Sequence, residues 1–321
     1  MSEQASPYRA PEQPSVPDHR GERQPDAVYW TPADPRIGPL VSAWSNQDRN
    51  GLRPLHNRRR QLVIAGVLCG GFGALLAAGI FSAFGALAGL AVAGAVAAAL
   101  IAMVVFGFRT RPWCNYIGEE GMSDHRMLSR GPKNRILRFA DATGFFVART
   151  DHIENGFYRH TITEKSWRDA AGGVLLSEKL MSVERGVAAA GARLGARMAG
   201  RASEDPMRTW LAAGEKRWSE LRRARADAEI AEHGTASFPL TGGGTLIVRR
   251  GAIEVTRPKG QQTLAATDAG ATSWKEGVLT IERRGGKSKE ALRLAAGEVG
   301  DLAIALAFIR DVAGIGVDIP A

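Results

Sequence analysis

The feature that most constrains this 321-residue chain is a block of 48 residues, 61–108, that contains no charged side chain. One helix of that length would measure about 72 Å, at ~1.5 Å per residue, whereas the apolar core of a bilayer is about 30 Å thick. Two spans of 22 residues fit better: 61–82 and 87–108, joined by a turn at Ser82-Ala83-Phe84-Gly85. The block therefore predicts a transmembrane hairpin. The competing interpretation is a buried helix pair without a polar face.

Basic residues flank the predicted hairpin on both sides, and its turn is uncharged. The predicted anchoring residues are Arg58, Arg59, Arg60, Arg109, Arg111 and Trp113, the last at the headgroups. By the positive-inside rule, both termini are expected in the cytoplasm. The sequence thus predicts a multi-pass integral protein of the plasma membrane (in bacteria, the inner membrane). Because neither span holds an ionisable residue, a transporter or pump is not expected.

Small residues recur within the uncharged block. Gly66 with Gly70, and Gly85 with Gly89, form two GxxxG matches. Such spacing lets helix backbones approach closely. It fits association between chains as a homo-oligomer, and it also fits packing of the two spans against each other.

The residues before the block predict a disordered tail. Residues 1–57 hold nine of the fifteen prolines and too little apolar surface to offset chain entropy. The more apolar stretch 40–44 fits docking on a partner, contact with the membrane, or a few sticky residues in a linker.

The charge and the cysteine content restrict the class of protein further. The net charge is +9, and the excess is spread through mixed-sign sequence, which suits anionic lipid and not the clustered stripe of a nucleic-acid binder. The two cysteines, Cys69 and Cys114, cannot form a disulfide framework and predict reduced thiols.

After about residue 115 the pattern changes to short strands separated by turn residues. The predicted strands are 116–118, 127–129, 136–139, 144–152, 157–167 and 174–177, then one from 237 and 245–249, 253–256, 263–266, 272–274, 278–283 and 291–294. Helices are predicted at 182–200, from Pro206 to about Gly234, and at 298–313. In the first of these, Arg193, Arg197 and Arg201 recur every four residues, which fits either a membrane-surface helix or a loosely packed connector.

The two strand-rich parts resemble each other. Gly121 precedes a strand that leads to Asp141, and Gly251 precedes one that leads to Asp268, with separations of 20 and 17 residues. Strands followed by a helix resemble the pleckstrin-homology-like (PH-like) fold, and the whole chain is similar to uncharacterised bacterial membrane proteins that carry such domains. This resemblance implies an α+β membrane protein: a disordered tail (1–57), the hairpin (58–111), two PH-like units (113–234 and 235–315) and a short tail (316–321).

No motif indicates catalysis. Gly286-Lys287-Ser288 lacks the preceding glycine of a P-loop, and the run Thr241–Thr245 is interpreted as a flexible turn. Two-residue pairing of the hairpin around Asn155-Gly156 would place His152 and His160 on opposite faces, which argues against a shared metal. We therefore expect no cofactor and no enzymatic activity.

The functional prediction is a membrane-anchored interaction or scaffold protein with a protein partner at the cytoplasmic face and no nucleic-acid partner. The alternatives are an accessory subunit or oligomeric bilayer-active protein that uses its Gly-rich spans, and an enzyme with an unrecognised site.

Overall fold

The structure, a computed structural model, describes residues 16–48, 51–52, 111–154, 157–182, 206–285 and 291–317, with the isolated residues 78, 82, 85, 94 and 95. These residues fold mainly into antiparallel strands, arranged as two halves of the same design. Each half contains a four-stranded sheet, a three-stranded sheet and then a helix.

The first half combines residues from before and after the uncharged block. Its elements are β1 (Leu40–Ser45), β2 (Gln47–Asp48), β3 (Gly51–Leu52), β4 (Trp113–Gly118), β5 (Gly121–Leu128), β6 (Gly131–Arg138), β7 (Gly144–Glu154), β8 (Phe157–Arg168), β9 (Val174–Ser182) and helix α1 (Pro206–His233). The larger sheet has the order β1-β4-β5-β6 and the smaller one β7-β8-β9, while β2 and β3 pair separately.

The second half repeats this order without interruption. Its elements are β10 (Thr235–Leu240), β11 (Gly244–Arg249), β12 (Ala252–Arg257), β13 (Gly260–Ala265), β14 (Ala269–Lys275), β15 (Val278–Arg283), β16 (Leu292–Ala295) and helix α2 (Leu302–Asp311). The sheets are β10-β11-β12-β13 and β14-β15-β16. Gly121 and Gly251 lie between the second and third strands of the two four-stranded sheets, at the start of β5 and just before β12. Asp141 and Asp268 precede β7 and β14, the first strands of the three-stranded sheets, so the repeat noted in the sequence occupies equivalent positions.

Strand β1 shows that part of the expected tail is folded. It pairs with β4 in antiparallel register, with Trp44 opposite Asn115. Residues before it cover the outer face of the same sheet, where Ile37, Ala27 and Tyr29 are buried. The expectation of disorder therefore does not hold for residues 16–48. Hydrophobic burial by a few aromatic and aliphatic side chains offsets the entropy cost that the proline content suggested.

Helix α1 joins the two cores. Its N-terminal turns bury Trp210, Leu211 and Trp218 in the first half, and its C-terminal part contributes Ala226 to the second half. A helix of 28 residues is about 42 Å long at ~1.5 Å per residue, which is enough to span both cores. The start predicted at Pro206 is confirmed.

The predicted fold class, an α+β membrane protein with a two-helix transmembrane hairpin, is wrong for this structure. Among the described residues, no helix combines the length and the apolar character that crossing a bilayer requires: α1 is long but rich in charge, and α2 is apolar but has ten residues. The same finding corrects three related predictions. These are an integral membrane protein, a multi-pass location in the plasma or inner membrane, and cytoplasmic placement of both termini.

Most of the residues on which the hairpin prediction rests are not among those that the structure describes. Of the spans 61–82 and 87–108, all but a few isolated residues are outside the described part of the chain. The prediction rests on missing charge, yet Ala and Gly make up 23 of the 48 residues in the block, and such small side chains carry little apolar area each. Absence of charge is therefore a weaker indicator than a run of large apolar residues.

The long hairpin β7–β8 differs from its expected pairing. A register irregularity follows His152, so His152 lies directly opposite His160, not opposite Arg159. Their rings stack with centroids 4.5 Å apart. The expectation of opposite faces is wrong because a bulge adds one residue to one strand and reverses the alternation beyond it.

Candidate functional site

A cleft of about 920 Å³ lies where the two halves meet. One wall comes from the first half: the turn before β7, and the turn that follows β8 at 168–172. The opposite wall is β10 with the Gly-rich turn 241–243 and the start of β11, and the C-terminal part of α1 completes the lining. Turn residues from both halves thus define this site, which is where folds commonly place binding groups.

Five charged side chains line the cleft, and both acidic ones are already engaged. The Asp169 carboxylate accepts hydrogen bonds from the backbone N–H groups of Ala171 and Gly173, at 2.9 and 2.7 Å, within its own turn. Glu229 accepts from the Ser237 N–H at 3.0 Å and from Arg222 at 3.2 Å. Both carboxylates therefore already accept hydrogen bonds from the protein, with Asp169 using its Oδ1 for both bonds.

Arg222 is a structural cation. It is buried, donates to the Ser237 carbonyl oxygen and to Glu229, and its Nε lies 3.6 Å from Asp301 Oδ2. Its guanidinium also lies 4.9 Å from the centre of the Phe238 ring. Since so many of its donors are used, it ties α1 to the second half and is not the group that meets a ligand.

Arg168 and Arg225 have no ion-pair partner among the described residues. Arg168 lies over the Phe146 ring at 5.1 Å, and Arg225 over the Trp218 ring at 5.8 Å. The Arg168 Nε is buried and, within the described part of the chain, donates to no acceptor. A buried donor without an acceptor is costly, and because protein atoms cover this nitrogen, a ligand in the cleft would meet the terminal nitrogens of Arg168 and not its Nε.

The Gly-rich turn adds backbone donors on the opposite wall. Gly242 and Gly243 both have left-handed backbones, with φ of 82° and 86°, a conformation that favours glycine. In the described chain their N–H groups donate to no backbone acceptor, whereas the Thr241 N–H donates to the Glu298 carbonyl oxygen at 2.8 Å. Successive N–H groups in a turn form an anion-binding concavity when they converge, and these two are available as donors.

The two halves are held together beside the cleft by Asp301, the residue before α2. Its N–H donates to the Phe145 carbonyl oxygen at 2.7 Å, and its Oδ1 accepts from the Phe145 N–H at 3.2 Å and from Trp218 Nε1. Burial raises the pKa of Asp301 to about 6, against the lowering effect of Trp218 and Arg222. It also borders a smaller cavity of about 290 Å³ with a mainly apolar lining.

Two further polar clusters lie in the first half, and both stabilise the fold. Buried Asp124 accepts from Trp113 Nε1, Arg126 and Arg135, so its charge is compensated. His19 bonds Ser42 Oγ at 2.8 Å and Asn115 Oδ1 at 2.7 Å. Burial lowers the pKa of His19 to about 4, so the ring is neutral when it fixes the folded N-terminal residues to the sheet.

The residues predicted as functional from the sequence do not meet in this cleft. Those outside the described residues are Arg58, Arg59, Arg60, Arg109, Gly66, Gly70, Gly89, Arg193, Arg197 and Arg201. Trp113, predicted as a headgroup anchor, is 9% exposed and packs in the first core. Arg111 is exposed, and its carbonyl oxygen accepts from Asn46 at 2.8 Å. At Gly85, φ is 90° and an added Cβ would have no neighbour within 4 Å.

Sequence reasoning missed the cleft although it noted its parts. In the sequence, Arg222 and Arg225 have the pattern of a helix's solvated basic face, and 241–245 is interpreted as a flexible turn. The three-residue spacing of the two arginines does place both on one face of the helix. What no local pattern shows is that this face meets a glycine turn of the second half. Within the described residues, no group of three or more His, Cys, Asp or Glu side chains is placed to hold a metal ion.

Comparison with known proteins adds no identification. No protein-family model matches the chain, and no curated protein matches it.

Proposed function

We propose that this chain is a non-enzymatic binding protein that holds a ligand in the cleft between its two halves. The observation that carries the proposal is the cleft itself. Its volume, about 920 Å³, lies in the ~300–1,000 Å³ range of small-molecule sites. Its walls come from turns of both halves, and it contains arginine donors that the described residues do not use.

A binding role is favoured over catalysis by the state of the lining groups. Asp169 and Glu229, the two carboxylates of the cleft, are both occupied by protein donors. The lining residues of the described chain include no His, Cys or Lys. The hydroxyls of the lining, on Ser237, Thr143, Thr241 and Thr245, need a neighbouring general base to act as nucleophiles, and no histidine or lysine among the described lining residues supplies one.

This proposal keeps the interaction role predicted from the sequence and removes the membrane anchor from it. Two halves of one design, four strands, three strands and a helix each, support the predicted resemblance to PH-like domains. That resemblance stays a prediction, as does the absence of a nucleic-acid partner. The alternative that relied on Gly-rich spans rests on residues outside the described part of the chain.

A cleft-filling variant tests the proposal in the full chain. Ala171 lies exposed in the wall of the cleft, so Ala171→Trp fills it without altering a buried contact. Ala271→Trp, at an exposed position of β14 away from the cleft, is the matched control. Both variants and the unmodified chain are screened by thermal unfolding against neutral, cationic and anionic small molecules and short peptides.

The expected result is at least one compound that raises the Tm of the unmodified chain and of Ala271→Trp, but not of Ala171→Trp. A ligand at 100 times its Kd stabilises the native state by about 2.7 kcal/mol, which is measurable as a Tm increase. If every compound class fails, or if all stabilisation persists in Ala171→Trp, the cleft is not a binding site.

A further inference from the structure

The cleft contains more donors than the described residues satisfy, and this imbalance indicates the class of ligand. Arg168 and Arg225 line the cleft with guanidinium groups that make no ion pair among the described residues. The buried Arg168 Nε has no acceptor in the same part of the chain. In the facing wall, the Gly242 and Gly243 N–H groups donate to no backbone acceptor of the described residues. These donors all require oxygen acceptors, and those of the arginines prefer charged ones.

We propose that the cleft binds a small organic phosphate, whose phosphoryl group is held by Arg168, Arg225 and the Gly242-Gly243 turn. This inference rests on the proposed function, because it names the ligand of the same cleft. Three arginines line the cleft against the two carboxylates Asp169 and Glu229, which leaves it with a net charge of +1, and both carboxylates already accept hydrogen bonds from the protein. Arg222 remains committed to Asp301, Glu229 and the Ser237 carbonyl oxygen.

A phosphate monoester suits these donors better than a carboxylate does. Each guanidinium presents a planar fork that matches two oxygens, and two forks plus two N–H groups exceed what the two oxygens of one carboxylate accept. The three terminal oxygens of a monoester, each with more than one lone pair, can serve donors on both walls together. Consecutive glycines with positive φ also allow the backbone to approach the anion without a Cβ between them.

The rest of the lining indicates that the phosphate carries an organic body. Apolar side chains from both halves lie beside the charged ones: Phe146, Ala140, Ala142, Pro239 and Leu240. The Phe146 ring already stacks on Arg168, so an aromatic or apolar group next to the phosphate would extend that stack. A volume of about 920 Å³ is many times the ~30 Å³ that a water occupies, which leaves room beyond the anion.

Calorimetric titration of the full chain tests this inference with four probes. Phenyl phosphate has both a phosphate group and an aromatic ring, whereas inorganic phosphate has only the anion. Benzoate has the ring with a carboxylate, and phenol has the ring without an anionic group. Arg168→Gln and Arg225→Gln each remove one donor fork. Arg223→Gln is the matched control, because Arg223 is exposed on the same helix, does not line the cleft, and its loss lowers the net charge equally.

The expected order of affinity is phenyl phosphate first, with inorganic phosphate and benzoate weaker and phenol weakest. Each cleft variant is expected to weaken phenyl phosphate binding about tenfold or more, as for loss of a hydrogen bond to a charged group. Arg223→Gln is expected to stay within about twofold, since it removes only screened long-range attraction. Unfolding curves of all variants establish that they fold, and the exposed position of Arg225 makes its substitution the safer of the two.

Failure of this inference and failure of the proposed function give different results. If phenyl phosphate does not bind while another compound does, and Ala171→Trp blocks that compound, the phosphate assignment is overturned and the binding function stands. If Arg223→Gln weakens binding as much as the cleft variants do, the attraction is non-specific and the site is wrong. If nothing binds and Ala171→Trp changes nothing, both are overturned.

Discussion

Replacing Asp301 with Asn tests how the two halves are joined. In the native state burial raises the pKa of Asp301 to about 6, from an ordinary value of 3.8. At about 1.4 kcal/mol per pH unit, this difference corresponds to about 3 kcal/mol. Between pH 4 and 6 the folded protein retains a proton that the unfolded chain has lost, so the free energy of unfolding falls as the pH rises through this window.

The side chain introduced by Asp301→Asn cannot ionise but keeps an oxygen for the N–H of Phe145 and for Trp218 Nε1. Asn also tolerates the positive φ of 55° at this position. The free energy of unfolding of Asp301→Asn, minus that of the unmodified chain, should therefore rise by up to about 3 kcal/mol between pH 4 and 7. Comparing two pH values cancels effects of the substitution that do not depend on pH.

The assay is urea unfolding followed by tryptophan fluorescence at pH 4, 5, 6 and 7. Asp141→Asn is the control, because the Asp141 side chain is 52% exposed and its removal should leave the difference nearly constant. A difference for Asp301→Asn that stays flat within about 0.5 kcal/mol, the usual effect of a neutral surface substitution, or that decreases as the pH rises, would refute the reasoning.

Three further substitutions test the first half by the same unfolding assay. Acidification from pH 6.5 to about 4 should destabilise the unmodified chain relative to His19→Gln by up to about 3 kcal/mol. The reason is that burial lowers the pKa of His19 to about 4, so the folded protein stays unprotonated where the unfolded chain takes up a proton. Equal pH profiles of the two proteins would contradict this. Ile37→Ala should lower the free energy of unfolding by about 2–4 kcal/mol because Ile37 is fully buried. Val41→Ala, at 43% exposure, should lower it by under about 0.5 kcal/mol. Similar values for the two variants would mean that residues 16–48 do not pack against the sheet. Asp124→Asn should cost about 1–3 kcal/mol because it removes the buried charge that Arg126 and Arg135 share, while both keep Glu178 as a second partner, and a cost near that of Asp141→Asn would show that this cluster does not stabilise the fold.

Local pattern was sufficient to predict most strands of the described chain. Alternating apolar residues and turn signals place 278–283 and 253–256 as strands, and the structure has them as β15 and β12. Pro206 marks the start of α1 because proline fits the first turn of a helix. These features depend on neighbours within a few residues, and a sequence shows such neighbours directly.

The first strand of the first half was missed because its partner is distant in the chain. Trp44 pairs with Asn115, across the whole uncharged block, so the stretch 40–44 taken alone resembles sticky linker residues. The sequence did contain one indication of a missing strand. The first half has one predicted strand fewer than the second half, although the two halves resemble each other. The cleft was missed for the same reason, since Arg168, Arg225 and Gly242 belong to three separate elements.

Hydrogen–deuterium exchange with and without phenyl phosphate tests the central claim most directly, because it locates the ligand on the full chain. Segments 168–172 and 241–245 lie on the two walls of the cleft. The Gly242 and Gly243 N–H groups become slower to exchange once they donate to a bound anion, and anchoring of Arg168 by the ligand slows local opening of the hydrogen bonds within the other turn. Phenyl phosphate at a concentration near its Kd is expected to protect both segments together, and Arg168→Gln, which binds about tenfold more weakly, is expected to lower that protection several-fold at the same concentration. Protection confined to one half, or located away from both segments, would contradict a ligand site between the two halves.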